Sequence, residues 1–194
     1  MSHLTHTLKF IFGREVPETQ TSAKEQEAIF NYAREAGAAC EIGVFEGFNT
    51  ALIAQSIGAE STLWGVDPFF KGRLGISYGK VITTMHLRRK SVMSKVRLVS
   101  MLSFDAYDVV PSELDFIFID GDHSYEGIKK DWDIYSGKVK VGGVIALHDT
   151  ANSSSLAQSQ ILGSHRFFDD TIVHDERFNC IERVDSTAFM RRLY

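Results

Sequence analysis

Asp120-Gly121-Asp122-His123 puts two carboxylates and an imidazole within four residues, directly after the apolar run Phe116-Ile117-Phe118-Ile119. Such a cluster can hold a hard cation through oxygen, take a proton at a ring nitrogen, or grip a polar substrate. His148-Asp149 follows Val144-Ile145-Ala146-Leu147 in the same manner. Upstream, Gly43 and Gly47 in Glu41-Ile42-Gly43-Val44-Phe45-Glu46-Gly47 mark a turn where backbone could approach a ligand. Asp67 closes Leu63-Trp64-Gly65-Val66. An acid about 20 residues beyond a glycine turn is placed to accept hydrogen bonds from ribose hydroxyls. Turn and acid together point to a nucleoside-containing ligand. The Gly-x-x-x-Gly spacing departs from the dinucleotide fingerprint, which counts against a nicotinamide-dependent oxidoreductase.

Apolar runs flanked by charge read as buried parallel strands, and polar residues at their carboxyl ends sit where open α/β sheets bind ligands. Strands are expected at 38–44, 62–66, 96–100, 115–119 and 144–147, with a hairpin of 178–184 and 187–193 turning at Asp185-Ser186. Helices are expected between them: 22–36, opened by the capping box Ser22-x-x-Glu25, then 49–57, a basic one bearing Arg88-Arg89-Lys90, 125–136, and one near 159–170. Alternating strands and helices mean a mostly parallel sheet, and the hairpin adds an antiparallel edge. Residues 68–79, with Pro68, three glycines and Phe69, Phe70, Leu74, Ile76 and Tyr78, read as an exposed apolar lid-like loop, and 150–158 as a second loop. Residues 1–20 read as a loosely held arm before a single domain over 21–194.

The 194 residues suffice for one α/β domain with a sizeable core, and 44% apolar with 24% charged is ordinary for a globular protein. A net charge of −4 argues against a general nucleic-acid binder. Cys40 and Cys180 are expected as buried thiols, and no Cys-x-x-Cys pair suggests zinc. With no signal-peptide pattern and no membrane-length apolar run, the expectation is a cytoplasmic protein without membrane partners. The loop at 69–78 offers a face for a homodimer. Of the other histidines, His3, His6 and His174 are expected in solvent, and His86 and His165 on helix surfaces.

Glu41-x-Gly43-x-x-x-Gly47, Val66-Asp67, Ile119-Asp120-Gly121-Asp122-His123-Ser124-Tyr125-Glu126-Gly127 with Asp131, and Gly142-Gly143 leading to His148-Asp149 span residues 39–150. In these elements the chain resembles the class I S-adenosylmethionine-dependent methyltransferases, most closely the small O-methyltransferase-like group related to macrocin and catechol O-methyltransferases. The resemblance implies a Rossmann-like, doubly wound, seven-stranded sheet and O-methylation of a small hydroxylated acceptor such as a sugar or phenol. It implies cofactor contacts at Glu41, Gly43 and Gly47 (methionine part), Asp67 (ribose), Ser103 (adenine) and Asp120. It implies Mg²⁺ on Asp120 and Asp149, although Thr150 stands where those enzymes carry an amide ligand. His123 falls near their catalytic lysine, so His123, Asp120 and His148 are the expected catalytic group. A non-catalytic nucleoside-binding module, or other chemistry such as hydroxylation on the same fold, remains an alternative.

Overall fold

A computed structural model describes residues 3–72, 74–151 and 162–194. Seven strands form one sheet: β1 (Ala38–Ile42), β2 (Thr62–Val66), β3 (Val96–Val99), β4 (Leu114–Ile119), β5 (Val139–Leu147), β6 (Phe178–Val184) and β7 (Thr187–Arg192). Their order is β3-β2-β1-β4-β5-β7-β6. The first five run parallel, and β7 pairs antiparallel with both β5 and β6, as the sequence suggested. The strand order reverses between β1 and β4, which opens a crevice above their carboxyl ends.

Side chains alternate between the two faces of the sheet, both of them covered, and build two cores. Ile117 and Ile119 of β4 face Ile128, Trp132 and Tyr135 of helix α5 (Tyr125–Tyr135) and Phe167 and Phe168 of helix α6 (Gly163–Asp170). Phe116 and Phe118 face the other way, onto Ile29 and Ala33 of helix α2 (Ala23–Ala33), Ile53 of helix α3 (Phe48–Ser56) and Leu87 of helix α4 (Tyr78–Arg89). At roughly 1.5–3 kcal/mol for each large apolar side chain removed from water, these two layers dominate the stabilisation of the sheet. The strand ends therefore have little freedom, and side chains just beyond them are held in place.

Two close approaches shape the crevice. Gly43 (φ +90°) abuts the Asp120 carbonyl, and any Cβ there would collide with it. Gly47 (φ +79°) starts α3 against Thr83 of α4, where a Cβ would lie 2.7 Å from the threonine methyl. The glycine turn thus packs β1 against β4 and α3 against α4.

The N-terminal residues depart from the expected loose arm. Helix α1 (His3–Ile11) docks on α4 through Phe10, which is 2% exposed, and Arg89 donates to the Phe10 and Ile11 carbonyls. His6 is buried rather than solvated, bonded to Glu15 and to Glu46. His86 is likewise buried, its ring between Phe10 and Phe48, because α1 covers that face of α4. Phe69 is buried, while Phe70, Leu74 and Ile76 stay exposed. Cys40 is buried and Cys180 only partly. Most of the expected 150–158 loop lies outside the described residues. Among those described, no helix is long and apolar enough to cross a membrane.

Candidate active site

A cleft of about 950 Å³ opens above the crevice between β1 and β4. Its floor is the glycine turn and the ends of β2 and β4, with Gly43, Asp67, Asp120, Gly121 and His123 on the wall. Ser103, after β3, and Asp131, on the inner face of α5, line one end. His3, Thr7 and Glu18 to Gln20 line another, beside Phe45, Glu46, Phe69, Phe70 and Tyr78.

Asp67 ties the floor together. Its Oδ2 accepts from the backbone N–H of Val44 (3.1 Å) and Phe45 (3.0 Å), and its Oδ1 from that of Phe69 (2.6 Å). A carboxylate has about four lone-pair sites, so capacity remains for hydroxyls of a ligand. The bond to Phe69 links the expected ribose acid to the 68–77 loop.

Around the β4 and β5 ends the charges are arranged in depth. Asp120 Oδ1 lies 2.9 Å from His148 Nδ1. His148 Nε2 is 3.8 Å from Glu25 Oε1, too far for a hydrogen bond, so Glu25 acts there through its charge. Burial alone would lower the His148 pKa, yet Asp120 and Glu25 outweigh it and raise it to about 10. The ring is therefore a buried cation between carboxylates. Burial also opposes ionisation of Glu25, but His148 and the Ser22, Ser186 and Thr187 donors hold that carboxyl well below the usual range.

Three of the expected site residues lie off the cleft wall. His148 is 3% exposed and lies off the cleft wall, with its ring bonded to Asp120. Glu41 also lies beneath the wall, with neither carboxylate oxygen partnered among the described residues. Burial pushes its carboxyl well above the usual range, and the Asp120 and Asp67 charges add to this. Gly47, similarly, packs helices and lies off the cleft wall.

His123 faces the cleft. Its Nδ1 is 3.3 Å from Asp149 Oδ2, and its Nε2 3.8 Å from Asp120 Oδ1. The buried Ser164 at the start of α6 holds both segments, its N–H donating to the His123 carbonyl (2.9 Å) and its hydroxyl to the Asp149 carbonyl (2.8 Å). Asp122 turns back to accept from Ser124 N–H at 2.9 Å, capping the approach to α5.

A metal does not fit these residues. Asp120 is bonded to the cationic His148, Asp149 lies beside His123, and the Thr150 hydroxyl is buried and donates to the Ser186 carbonyl at 3.0 Å. Among the described residues, no group of three His, Cys, Asp or Glu could hold an ion.

A family model described as a methyltransferase domain matches residues 40–150, from β1 to the end of the β5 loop. The chain belongs to this methyltransferase family. A curated relative, an uncharacterized protein of Acanthamoeba polyphaga mimivirus, is 29% identical over 110 residues, 56% of this chain and 49% of that one. The chain thus spans about half the length of the curated relative it matches. Solved structures agree in fold across the whole methyltransferase domain. A protein from Corynebacterium glutamicum superposes with a TM-score of 0.73 at 16% identity, over 99% of this chain and 90% of that one. An O-methyltransferase from Bacillus cereus in complex with SAH gives 0.68 at 16% identity, over 100% and 91%. At these identities the likeness establishes the shared fold.

Some site residues had no sequence signal. His3 and Thr7 of α1, and Glu18 after it, reach the cleft because the N-terminal segment folds back over α4, and Ser164 looks like any helix-end serine. Asp131 had a faint one, as a carboxylate flanked by Ile128, Trp132 and Tyr135 on a buried helix face.

Proposed function

We propose that the protein is an S-adenosylmethionine-dependent O-methyltransferase acting on a small hydroxylated acceptor. The observation that carries this reading is His123, on the cleft wall with Asp149 at one ring nitrogen. The cleft suits the cofactor: it is large enough for a nucleoside with an amino-acid arm, has Asp67 for the ribose, and reaches the buried carboxyl of Asp131 beside Ser103. When bound, the cofactor supplies an electrophilic methyl on a sulfonium, leaving the protein to bind, align and deprotonate.

In this reading Gly43 and its neighbours bound the methionine end, Asp67 holds the ribose, and Ser103 lies against the base. Asp149 keeps the His123 Nδ1 protonated, so Nε2 is the atom that accepts a proton. The acceptor hydroxyl gives that proton to Nε2 as its oxygen forms the new bond to carbon, and the carbon–sulfur bond breaks with its electrons left on sulfur. Asp120, fixed by His148, favours the imidazolium that results. Phe69, Phe70 and Tyr78 flank the acceptor and keep water away. Magnesium has no step in this scheme.

Incubation with methyl-labelled S-adenosylmethionine and a panel of phenols and sugars tests the reading. Label transfer to oxygen supports it. Calorimetric binding of NADH instead of S-adenosylhomocysteine would replace it with the oxidoreductase alternative.

A further inference from the structure

Asp131 is the cleft's outlying carboxylate. It is 3% exposed, yet it lines the cleft beside Ser103, Gly121 and Asp122. Its Oδ2 would lie 3.0 Å from a Cβ at Gly121, so the side chain points at the turn that ends β4. It forms no ion pair among the described residues, and Ser103 is the polar side chain that favours its charged form. A buried carboxylate with no cation is costly unless something else hydrogen-bonds it. Trp132 and Tyr135, its neighbours on α5, belong to the core, and Tyr135 donates to the Ser103 carbonyl at 2.7 Å, so Ser103 and Asp131 are held on the same side of the cleft.

We propose that Asp131 selects the base of the cofactor by accepting a hydrogen bond from the exocyclic amino group of adenine. This rests on the cofactor reading above and adds a specificity residue to it. The placement follows the order of the cleft. Asp67 fixes the ribose at the end of β2, Ser103 follows β3, and Asp131 lies beyond Ser103 on the far wall. A base extending from that ribose past Ser103 would bring its outer edge to Asp131. Phe104, also on the cleft, carries Lys130 at 5.6 Å from its ring centroid and closes the side of this slot. Burial, helped by the Asp122 charge, raises Asp131 to about 6, which leaves it largely ionised at pH 7.5 and able only to accept. A 6-oxo purine would set a carbonyl oxygen against the carboxylate, so the same residue that favours the amino base repels its deaminated counterpart.

Calorimetric titration of the full chain at pH 7.5 with S-adenosylhomocysteine and S-inosylhomocysteine tests this. Wild type should prefer the adenosyl ligand by about 10- to 100-fold, the range of a hydrogen bond to a charged group. Asp131→Ala should narrow that preference by weakening adenosyl binding about tenfold. Asp131→Asn should narrow it by the opposite route, because an amide can turn over: adenosyl binding stays within about threefold and inosyl binding tightens. A purely structural role would weaken both ligands together. Wild type without a preference, or an unchanged adenosyl-to-inosyl ratio in the Asn variant, overturns the proposal. The nearly isosteric Asn variant decides the matter if the Ala variant fails to fold. Wild type binding neither ligand overturns the cofactor reading, and this one with it.

Discussion

Ser164 donates to the carbonyls of both His123 and Asp149, so one buried serine sets the distance between the proposed base and the carboxylate that orients it. The two carbonyls belong to different loops, one after β4 and one after β5. Ser164→Ala removes the bond to Asp149 and keeps the backbone bond to His123. The expected outcome is a fall of about tenfold in kcat with little change in cofactor affinity, since small displacements of a catalytic group are costly and the cofactor wall is untouched. Single-turnover transfer together with calorimetry separates the two quantities.

Asp67 carries three backbone hydrogen bonds besides its proposed ribose contact. Asp67→Ala should therefore weaken S-adenosylhomocysteine binding by about 100-fold, more than loss of a single hydrogen bond would. Asp67→Asn keeps one acceptor oxygen and should fall between Ala and wild type. Titration calorimetry on both variants measures the order.

His148 is a buried cation bonded to Asp120. Truncation to Ala leaves Asp120 and Glu25 without their shared partner and should destabilise the fold by about 3 kcal/mol, read as a shift of the urea midpoint. Turnover per folded molecule should drop as well, because Asp120 loses its anchor.

His86 gives the fold an acid-sensitive joint. Burial lowers its pKa to about 4, with Lys90 and Arg89 adding to the effect. The unfolded chain takes up a proton near 6.5, whereas the folded one resists until about 4. The neutral ring therefore stabilises the fold fully above 6.5, and that contribution is lost as pH falls from 6.5 to 4, on the order of 3 kcal/mol. Urea midpoints across this window should fall in wild type and flatten in His86→Phe. Loss of the helix α1 contact should accompany it, since Phe10 packs on the same ring.

Much of this fold can be read from the chain because its signals are local. The capping box Ser22–Glu25 is present on both sides, and the β2 run ends where its apolar residues end. The strand-end rule located Asp67, Asp120 and His123 on the cleft for the same reason: the position of a residue after a buried strand fixes where it emerges. Depth was not legible. His123 and His148 each follow an apolar strand, but one emerges on the cleft and the other turns beneath it toward Glu25. That difference depends on α2 bringing Glu25 under β5, a contact between residues over 120 positions apart. His6 and His86 are buried for a reason equally hidden in the sequence, because nothing in it marks α1 as folding back onto α4.

Metal removal should leave the reaction intact. Transfer rates with an excess of EDTA, compared with added Mg²⁺, should agree within about twofold, given that Asp120 and Thr150 are already bonded within the protein.

The most direct test is turnover of methyl-labelled S-adenosylmethionine by His123→Ala beside wild type, with S-adenosylhomocysteine affinity measured on the same samples. Loss of the base should cut transfer by about 100-fold or more while affinity stays within about threefold, and transfer should recover partly as pH rises and the acceptor ionises unaided. Unchanged turnover in His123→Ala would contradict the assignment of His123 as the base.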